Sequence, residues 1–280
     1  MPSLNVISIL VAYELRRAIA RKRIILLIAL IFLVEAAIYL ILTLLPSTFI
    51  QVFRGYAWII GLAIPSTILV HVLALTIGSA TFSEEYEQGT ADFWLTRPIT
   101  RIEYFAGKFL GSLAFTSLIV ASYSILGLVF SWWVFGPQLR LDLLVAGVLA
   151  SIFASLTFLT MGLAVGEVLR RTMLATILAA TGFFSSLIIE TYLGIVGAIT
   201  NDQSITSAAR YLPSWAAGRL VITVISSGLG FEAGPIGLLA GGTQTADILP
   251  AVLNIMLYSA VFLAVALIRL VSTDVTRKAT

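Results

Sequence analysis

The sequence predicts an all-α, polytopic membrane protein with six transmembrane helices. Three observations support this prediction. Of the 280 residues, 59% are hydrophobic and 11% are charged, a composition outside the usual range of soluble domains. The apolar residues form windows of about 20, the length that crosses the hydrocarbon core as a helix. The cations concentrate in alternate connecting segments, as the positive-inside rule describes.

The predicted spans make the whole chain, residues 1–280, a single transmembrane domain. They cover residues 24–45, 56–82, 106–135, 141–168, 173–199 and 248–270. With a cytoplasmic N-terminus, the segments predicted inside hold thirteen cations, namely Arg16, Arg17, Arg21, Lys22, Arg23, Arg97, Arg101, Lys108, Arg170, Arg171, Arg269, Arg277 and Lys278. The segments predicted outside hold four, Arg54, Arg140, Arg210 and Arg219. We therefore expect a multi-pass protein of the cell membrane with both termini in the cytoplasm.

Residues 1–23 have the pattern of an amphipathic helix. The apolar residues near one helical face are Leu4, Ile7, Val11, Leu15 and Ile19, and the basic residues off that face are Arg16, Arg17 and Arg21. Such a helix lies in the membrane interface, with its apolar side in lipid and its basic side near anionic headgroups. A plain cytoplasmic extension of the first span is the alternative.

The connection between spans two and three, residues 83–105, is unusually rich in charge. It holds five of the fourteen acidic residues, Glu84, Glu85, Glu87, Asp92 and Glu103. Thr100 and Glu103 have the spacing of a capping box, which predicts a helix start just after Pro98. The glutamates at the end of span two are unfavourable against the helix dipole and against one another. We therefore expect cationic partners, from Arg97, Arg101 and Lys108 or from a docked protein.

A short amphipathic segment lies inside this connection, between Gly89 and the Arg97-Pro98 pair. Glycine permits the backbone angles that turn the chain parallel to the membrane. The apolar side chains of Phe93, Trp94 and Leu95 are expected to be exposed on the cytoplasmic side. An ordinary solvated loop with aromatic residues in the headgroups is the alternative.

Two glutamates within spans and one irregular segment are the other notable features of the chain. Glu35 and Glu190 are candidates for a translocation path, because such groups face a bundle interior or water rather than lipid. Structural hydrogen bonding is the alternative for both. Residues 200–247 predict short outer or re-entrant helices, one of them capped by Ser214 and broken at Ser226–Gly230.

The residues between spans two and three resemble the signature of type-2 ABC transporter permeases, the ABC-2 family with its type V exporter-like architecture. The matching positions are Glu84, Glu85, Glu87, Gly89, Thr90, Arg97, Pro98, Arg101, Glu103, Gly107 and Lys108. The basic N-terminal helix, the six spans and the Leu-Pro-Ser-Trp segment at 212–215 look most like the copper-processing and multidrug branches. A copper substrate is not expected, since the chain has one His, four Met and no Cys.

The resemblance implies a permease subunit of an ATP-driven transporter, with export favoured. Two permeases, identical or paralogous, would each dock on a separate ATPase chain through the coupling helix at 84–97. The residues implied in coupling are Glu84, Glu85, Glu87, Gly89, Thr90, Phe93, Trp94, Leu95, Arg97, Pro98, Arg101, Glu103 and Lys108. ATP and Mg would be used by the ATPase, with no cofactor on this chain, because Gly107-Lys108 lacks the phosphate-loop spacing. The other expected partner is the lipid membrane, and no binding of nucleic acid is expected.

Two other classes of function remain alternatives. An ATPase-driven channel or membrane scaffold would share the docking segment without pumping a substrate. An intramembrane enzyme is disfavoured, because Glu84-Glu85 has only His71 to join it in a metal site and the chain has no Gly-x-Ser-x-Gly turn. We therefore expect neither catalytic residues nor a metal site.

Overall fold

The computed structural model describes residues 4–46, 50–51, 54–229 and 248–272. Over these residues the regular structure is entirely helical. The helices are α1 (Leu4–Ala20), α2 (Lys22–Thr43), α3 (Ala57–Thr67), α4 (Leu69–Gln88), α5 (Thr90–Leu95), α6 (Arg101–Phe135), α7 (Asp142–Leu169), α8 (Thr172–Thr200), α9 (Gln203–Ala208), α10 (Pro213–Leu229) and α11 (Ile248–Ser272), with 3₁₀ turns at Arg54–Tyr56 and Ala209–Tyr211.

The long helices confirm the predicted all-α, polytopic membrane fold. Five described helices, α2, α6, α7, α8 and α11, are long and apolar enough to span a membrane. The segments Arg54–Thr67 and Leu69–Glu87 meet at 41°, and they provide a sixth span if the bent pair crosses as one. Pro65 lies just before the bend, where its ring removes a backbone hydrogen bond.

Helices α4 and α7 form the centre of the bundle. Small residues let their backbones approach: a Cβ added at Gly162 would lie 2.8 Å from the Ser79 nitrogen, and one at Gly166 would lie 2.5 Å from the Ser79 oxygen. Around this pair, α10 and α11 pack on α7, while α8 contacts both central helices. Helices α4 and α7 together therefore contact most of the other helices of the bundle.

The N-terminal helix packs along α6 and is separate from α2. Arg21 has extended backbone angles between them (φ −79°, ψ 110°), so α1 is not a plain extension of the first span. Its buried side carries Leu10, Glu14 and Ala18, whereas Ile9 and Ile19 are exposed. The polar face predicted to lie near headgroups is thus partly a protein contact.

The segment after α8 folds into α9, a 3₁₀ turn and α10. The helix that starts at Pro213 continues through Ser226 and ends at Leu229, inside the predicted break at Ser226–Gly230. Its serines bond to preceding carbonyls and its apolar face is buried, so packing outweighs the local preference. Ser214 does not cap it, because its hydroxyl donates to Glu190. Residues 230–247 lie outside the described residues.

Candidate coupling site

The turn from α4 into α5 is made at Gly89. Its φ is +69°, a left-handed conformation, and its amide closes the end of α4 by donating to the Glu85 and Tyr86 carbonyls. A side chain there would meet no atom within 4 Å, so only the backbone conformation favours glycine. The predicted break is present, and α5 follows it as a six-residue helix.

The start of α6 is the predicted capping box. The Glu103 amide donates to Thr100 Oγ1 at 3.2 Å, and the Thr100 amide donates to Glu103 Oε2 at 2.7 Å. Pro98 precedes this cap in the connection from α5. Because the cap fixes where α6 begins, it also fixes the position of Lys108 two turns later.

A buried group of charges joins α1, α4 and α6, and we call it the ion cluster. Its members are Glu14, Arg17, Arg21, Glu84, Glu85 and Lys108. The side chains of Glu14, Glu85 and Lys108 are fully buried, and the most exposed member, Glu84, shows 20% of its side chain. Three carboxylates face three cations, so the cluster is electrically balanced.

Lys108 and Arg21 are the links between helices in this cluster. The Lys108 ammonium donates to Glu14 Oε2 at 2.8 Å and also to Glu85 Oε1. Arg21 places its guanidinium 2.7 Å from Glu84 Oε2 and 3.0 Å from Glu14 Oε1. Lys108, on α6, and Arg21, at the α1–α2 junction, each bind one carboxylate on α1 and one on α4. Each cation therefore joins the N-terminal helix to the end of α4.

The remaining contacts complete the hydrogen bonding of Glu85. Arg17 donates to Glu85 Oε1 at 2.6 Å, and the Tyr104 hydroxyl donates to Oε2. A buried carboxylate is tolerated only when its oxygens are satisfied in this way. Burial raises the pKa of Glu14, but the charges of Lys108 and Arg21 outweigh it and hold that pKa below its usual value.

Glycines on α6 allow the cluster to form. A Cβ at Gly111 would lie 2.7 Å from the Glu14 Cβ, and one at Gly107 would press on Leu10 in the same way. The sequence prediction found Lys108 as a partner of the glutamates but missed Glu14, Arg17 and Arg21. Helical spacing on one face of α1 was the available signal.

Glu87 has a different function from its neighbours. Its carboxylate accepts hydrogen bonds from the amide and the hydroxyl of Thr172, at 2.9 and 2.7 Å, and so caps the start of α8 from outside. Nearby, the Tyr86 hydroxyl donates to Glu167 at 2.8 Å, and Arg170 lies over the Tyr86 ring. The end of α4 is therefore fixed to the α7–α8 turn.

The apolar residues of α5 divide between the interior and the surface. Trp94 contacts the Tyr13 ring edge-on at 5.1 Å between centroids, so it packs against α1. Phe93 is 52% exposed, and the Arg97 guanidinium lies 4.1 Å from its ring centre. Thr90 is half-buried, while the side chain of Leu95 lies outside the described part of the chain.

Two further features border α5. Arg101 donates to the carbonyls of Leu270 and Val271, which joins the start of α6 to the end of α11. An open cleft of about 610 Å³ lies between α5 and the α7–α8 turn, lined by Tyr86, Glu87, Gly89, Ala91, Asp92, Leu169, Arg170 and Arg171. The surface around α5 therefore has a projecting aromatic ring, that of Phe93, beside a concave polar cleft.

Glu35 and Glu190 lie away from this site and in different surroundings. Glu190 accepts a hydrogen bond from Ser214 at 2.7 Å and lies 3.5 Å from the Arg219 guanidinium. Glu35 is fully buried on α2. Structural hydrogen bonding was the alternative role expected for Glu190, and these contacts are of that kind.

Comparison with known protein families identifies the family of this chain. A family model described as ABC-2 family transporter protein matches residues 8–275. The chain belongs to the ABC-2 family. A search of curated proteins found no match. The match covers α5 and the ion cluster, and it extends over the helices on both sides of them, so these features form part of an ABC-2 type permease.

Proposed function

We propose that this ABC-2 permease moves a substrate across the membrane when a separate ATPase chain, docked on α5, binds and hydrolyses ATP. The observation that supports this most strongly is the exposed Phe93–Arg97 face. It projects from a short helix that follows the turn at Gly89 and precedes the α6 cap at Thr100. An exposed aromatic ring beside a cleft has the features of a residue that anchors a protein–protein interface.

The contacts of α5 supply a route for force into the bundle. Trp94 meets Tyr13 on α1, and the Tyr13 ring lies 4.8 Å from the Lys108 ammonium. Lys108 in turn binds Glu85 on α4, the helix packed on α7. A push on α5 is therefore carried to α1, α4 and α6 together, because the ion cluster joins them.

The proposed assembly contains two permeases and two ATPase chains, working as an exporter. ATP and Mg are bound by the ATPase chains, and this chain holds neither. Family membership supports the ATPase partner, and the exposed apolar helices support the multi-pass location.

The proposed orientation places Gln88 in the cytoplasm and Gln203 outside. Both residues are exposed, and the absence of cysteine gives a clean background for labelling. In intact cells, we expect an impermeant maleimide to label Gln203→Cys and to label Gln88→Cys only after permeabilisation. Labelling of Gln88→Cys in intact cells would overturn the orientation.

Substitution of Gly89 by valine should lose coupling while retaining docking. A left-handed conformation costs an ordinary residue about 1–2 kcal/mol, and it is least tolerated by β-branched side chains. We expect Gly89→Val to reorient α5 and to lower ATP-dependent transport in reconstituted vesicles, while ATPase binding falls less. Gly89→Asn is the matched control, because asparagine accepts this conformation better than valine does.

The same experiment separates a transporter from an ATPase-driven scaffold. A wild-type permease that binds and stimulates its ATPase, yet shows no ATP-dependent flux of any tested amphiphile or ion, would favour a scaffold. Equal transport by Gly89→Val and Gly89→Asn would show that the turn geometry has no part in coupling.

A further inference from the structure

The carboxyl group of Glu35 occupies a slot between three helices. The residue lies mid-way along α2, and it is fully buried. A Cβ added to Gly61 on α3 or to Gly127 on α6 would collide with its Oε1 atom. Tyr39, one turn further along α2, closes the slot beside Gly61. The two glycines thus leave space that the carboxyl group fills.

Within the part of the chain that the structure describes, this carboxyl group has no hydrogen-bond partner. Among residues 4–46, 50–51, 54–229 and 248–272, neither oxygen of Glu35 has a hydrogen-bond donor, and both are buried. Glu190, by comparison, binds a serine and an arginine. A buried, unsatisfied polar group needs an explanation, especially within a candidate span.

No cation of the described residues forms an ion pair with Glu35. Arg54, in the 3₁₀ turn before α3, is seven residues from Gly61, roughly 10 Å along the helix, and its guanidinium donates to the Phe135 carbonyl. Over Ala57–Thr67, α3 has no charged residue. Arg23 and Lys22 lie about three turns back along α2, roughly 18 Å away at the helical rise. Lys108 is nineteen residues before Gly127 on α6, about 28 Å away. Tyr39 on α2 and Tyr123 on α6 carry phenol groups, which are neutral at neutral pH.

An ionised carboxylate in this slot would be a buried charge without compensation. Such a charge is strongly unfavourable, so the group takes up a proton instead. The Tyr123 hydroxyl also lies 2.6 Å from Ser66 Oγ, and Ser66 lies 2.9 Å from Ser151 Oγ. These hydroxyls bind one another across α6, α3 and α7, and they make no hydrogen bond to Glu35.

We propose that Glu35 is a proton-binding site, protonated while α2 packs on α3 and α6, and ionised when these helices separate. On separation, the carboxyl O–H bond breaks and the proton passes to entering water, which then solvates the carboxylate. High pH therefore favours the separated state. The protonation follows from the closed slot alone, whereas its link to separation rests on the proposed transport function.

Infrared spectroscopy of the purified permease tests the protonation directly. At neutral pH, the wild-type spectrum should contain a protonated-carboxyl band that is absent from Glu35→Gln and retained in Glu190→Gln. Raising the pH should convert this band to carboxylate bands. If Glu35→Gln does not fold, Glu35→Asp should shift the band. A Glu35 that contributes only carboxylate bands at neutral pH would overturn the proposal.

The link to transport has a separate readout. In permease assembled with its ATPase, a non-hydrolysable ATP analogue should weaken the Glu35 band if ATP binding separates α2 from α3 and α6. A band that is present but insensitive to the analogue would overturn the link and leave the ATPase docking intact. Loss of docking in Phe93→Ala, with the band unchanged, would keep the two proposals distinct.

Discussion

Replacing Lys108 by methionine is expected to destabilise the permease by about 3–5 kcal/mol, the usual effect of removing one partner from a buried ion pair. The methionine fills similar space, but Glu14 and Glu85 are left facing each other without the ammonium that both of them bind. We expect a lower thermal unfolding temperature in detergent and poor accumulation in the membrane. Lys22→Met is the control, because Lys22 is an exposed cation.

A second substitution distinguishes charge balance from packing. Adding Glu14→Gln to Lys108→Met removes one carboxylate together with the cation, so the net charge of the ion cluster returns to zero. The double variant should recover part of the lost stability. If Lys108→Met unfolds at the wild-type temperature, the ion cluster does not hold α1 on α4 and α6, and force cannot pass through it as proposed.

Replacing Phe93 by alanine is expected to weaken ATPase binding by about thirtyfold. Truncating an aromatic anchor at an interface commonly costs about 2 kcal/mol, which corresponds to that change in the binding constant. Phe93 is about half exposed in the isolated permease, and its ring is oriented by Arg97. The measurement is ATPase binding to purified permease, together with the unfolding temperature, which should change little.

Phe184→Ala is the matched control for this experiment. Phe184 is a similarly exposed aromatic residue, but it lies on the spanning helix α8 rather than on α5. ATPase binding should therefore be normal in Phe184→Ala.

The structure also changes the expectation for Trp94, which the sequence predicted to be exposed. Its contact with Tyr13 makes it a link within the chain rather than the exposed anchor.

The sequence predicted those parts of the site that depend on local interactions. The capping box of Thr100 and Glu103, and the turn at Gly89, use residues within a few positions of one another. Their geometry follows from backbone hydrogen bonding and from the conformational freedom of glycine. The spanning helices were predictable for a similar reason, because continuous apolar length is itself a local property.

The parts that depend on distant contacts were not predictable in the same way. Arg17 is 68 positions from Glu85, and nothing in either segment indicates the other. The apolar residues of α1 suggested a lipid contact, whereas Gly107 and Gly111 on α6 provide the surface that receives Leu10 and Glu14. Glu87 likewise caps α8 across 85 positions, which only the folded chain reveals.

Cross-linking from position 93 to the ATPase tests the central claim most directly. Phe93→Cys would carry a photoactivatable maleimide, and Tyr211→Cys, exposed in the segment between α8 and α10, would carry the same probe. Illumination of the transporter, assembled with excess ATPase to offset the loss of the Phe93 ring, should join the ATPase to position 93 and not to position 211. An ATPase that binds the permease but never cross-links to position 93, or that links equally to both positions, would contradict docking on α5.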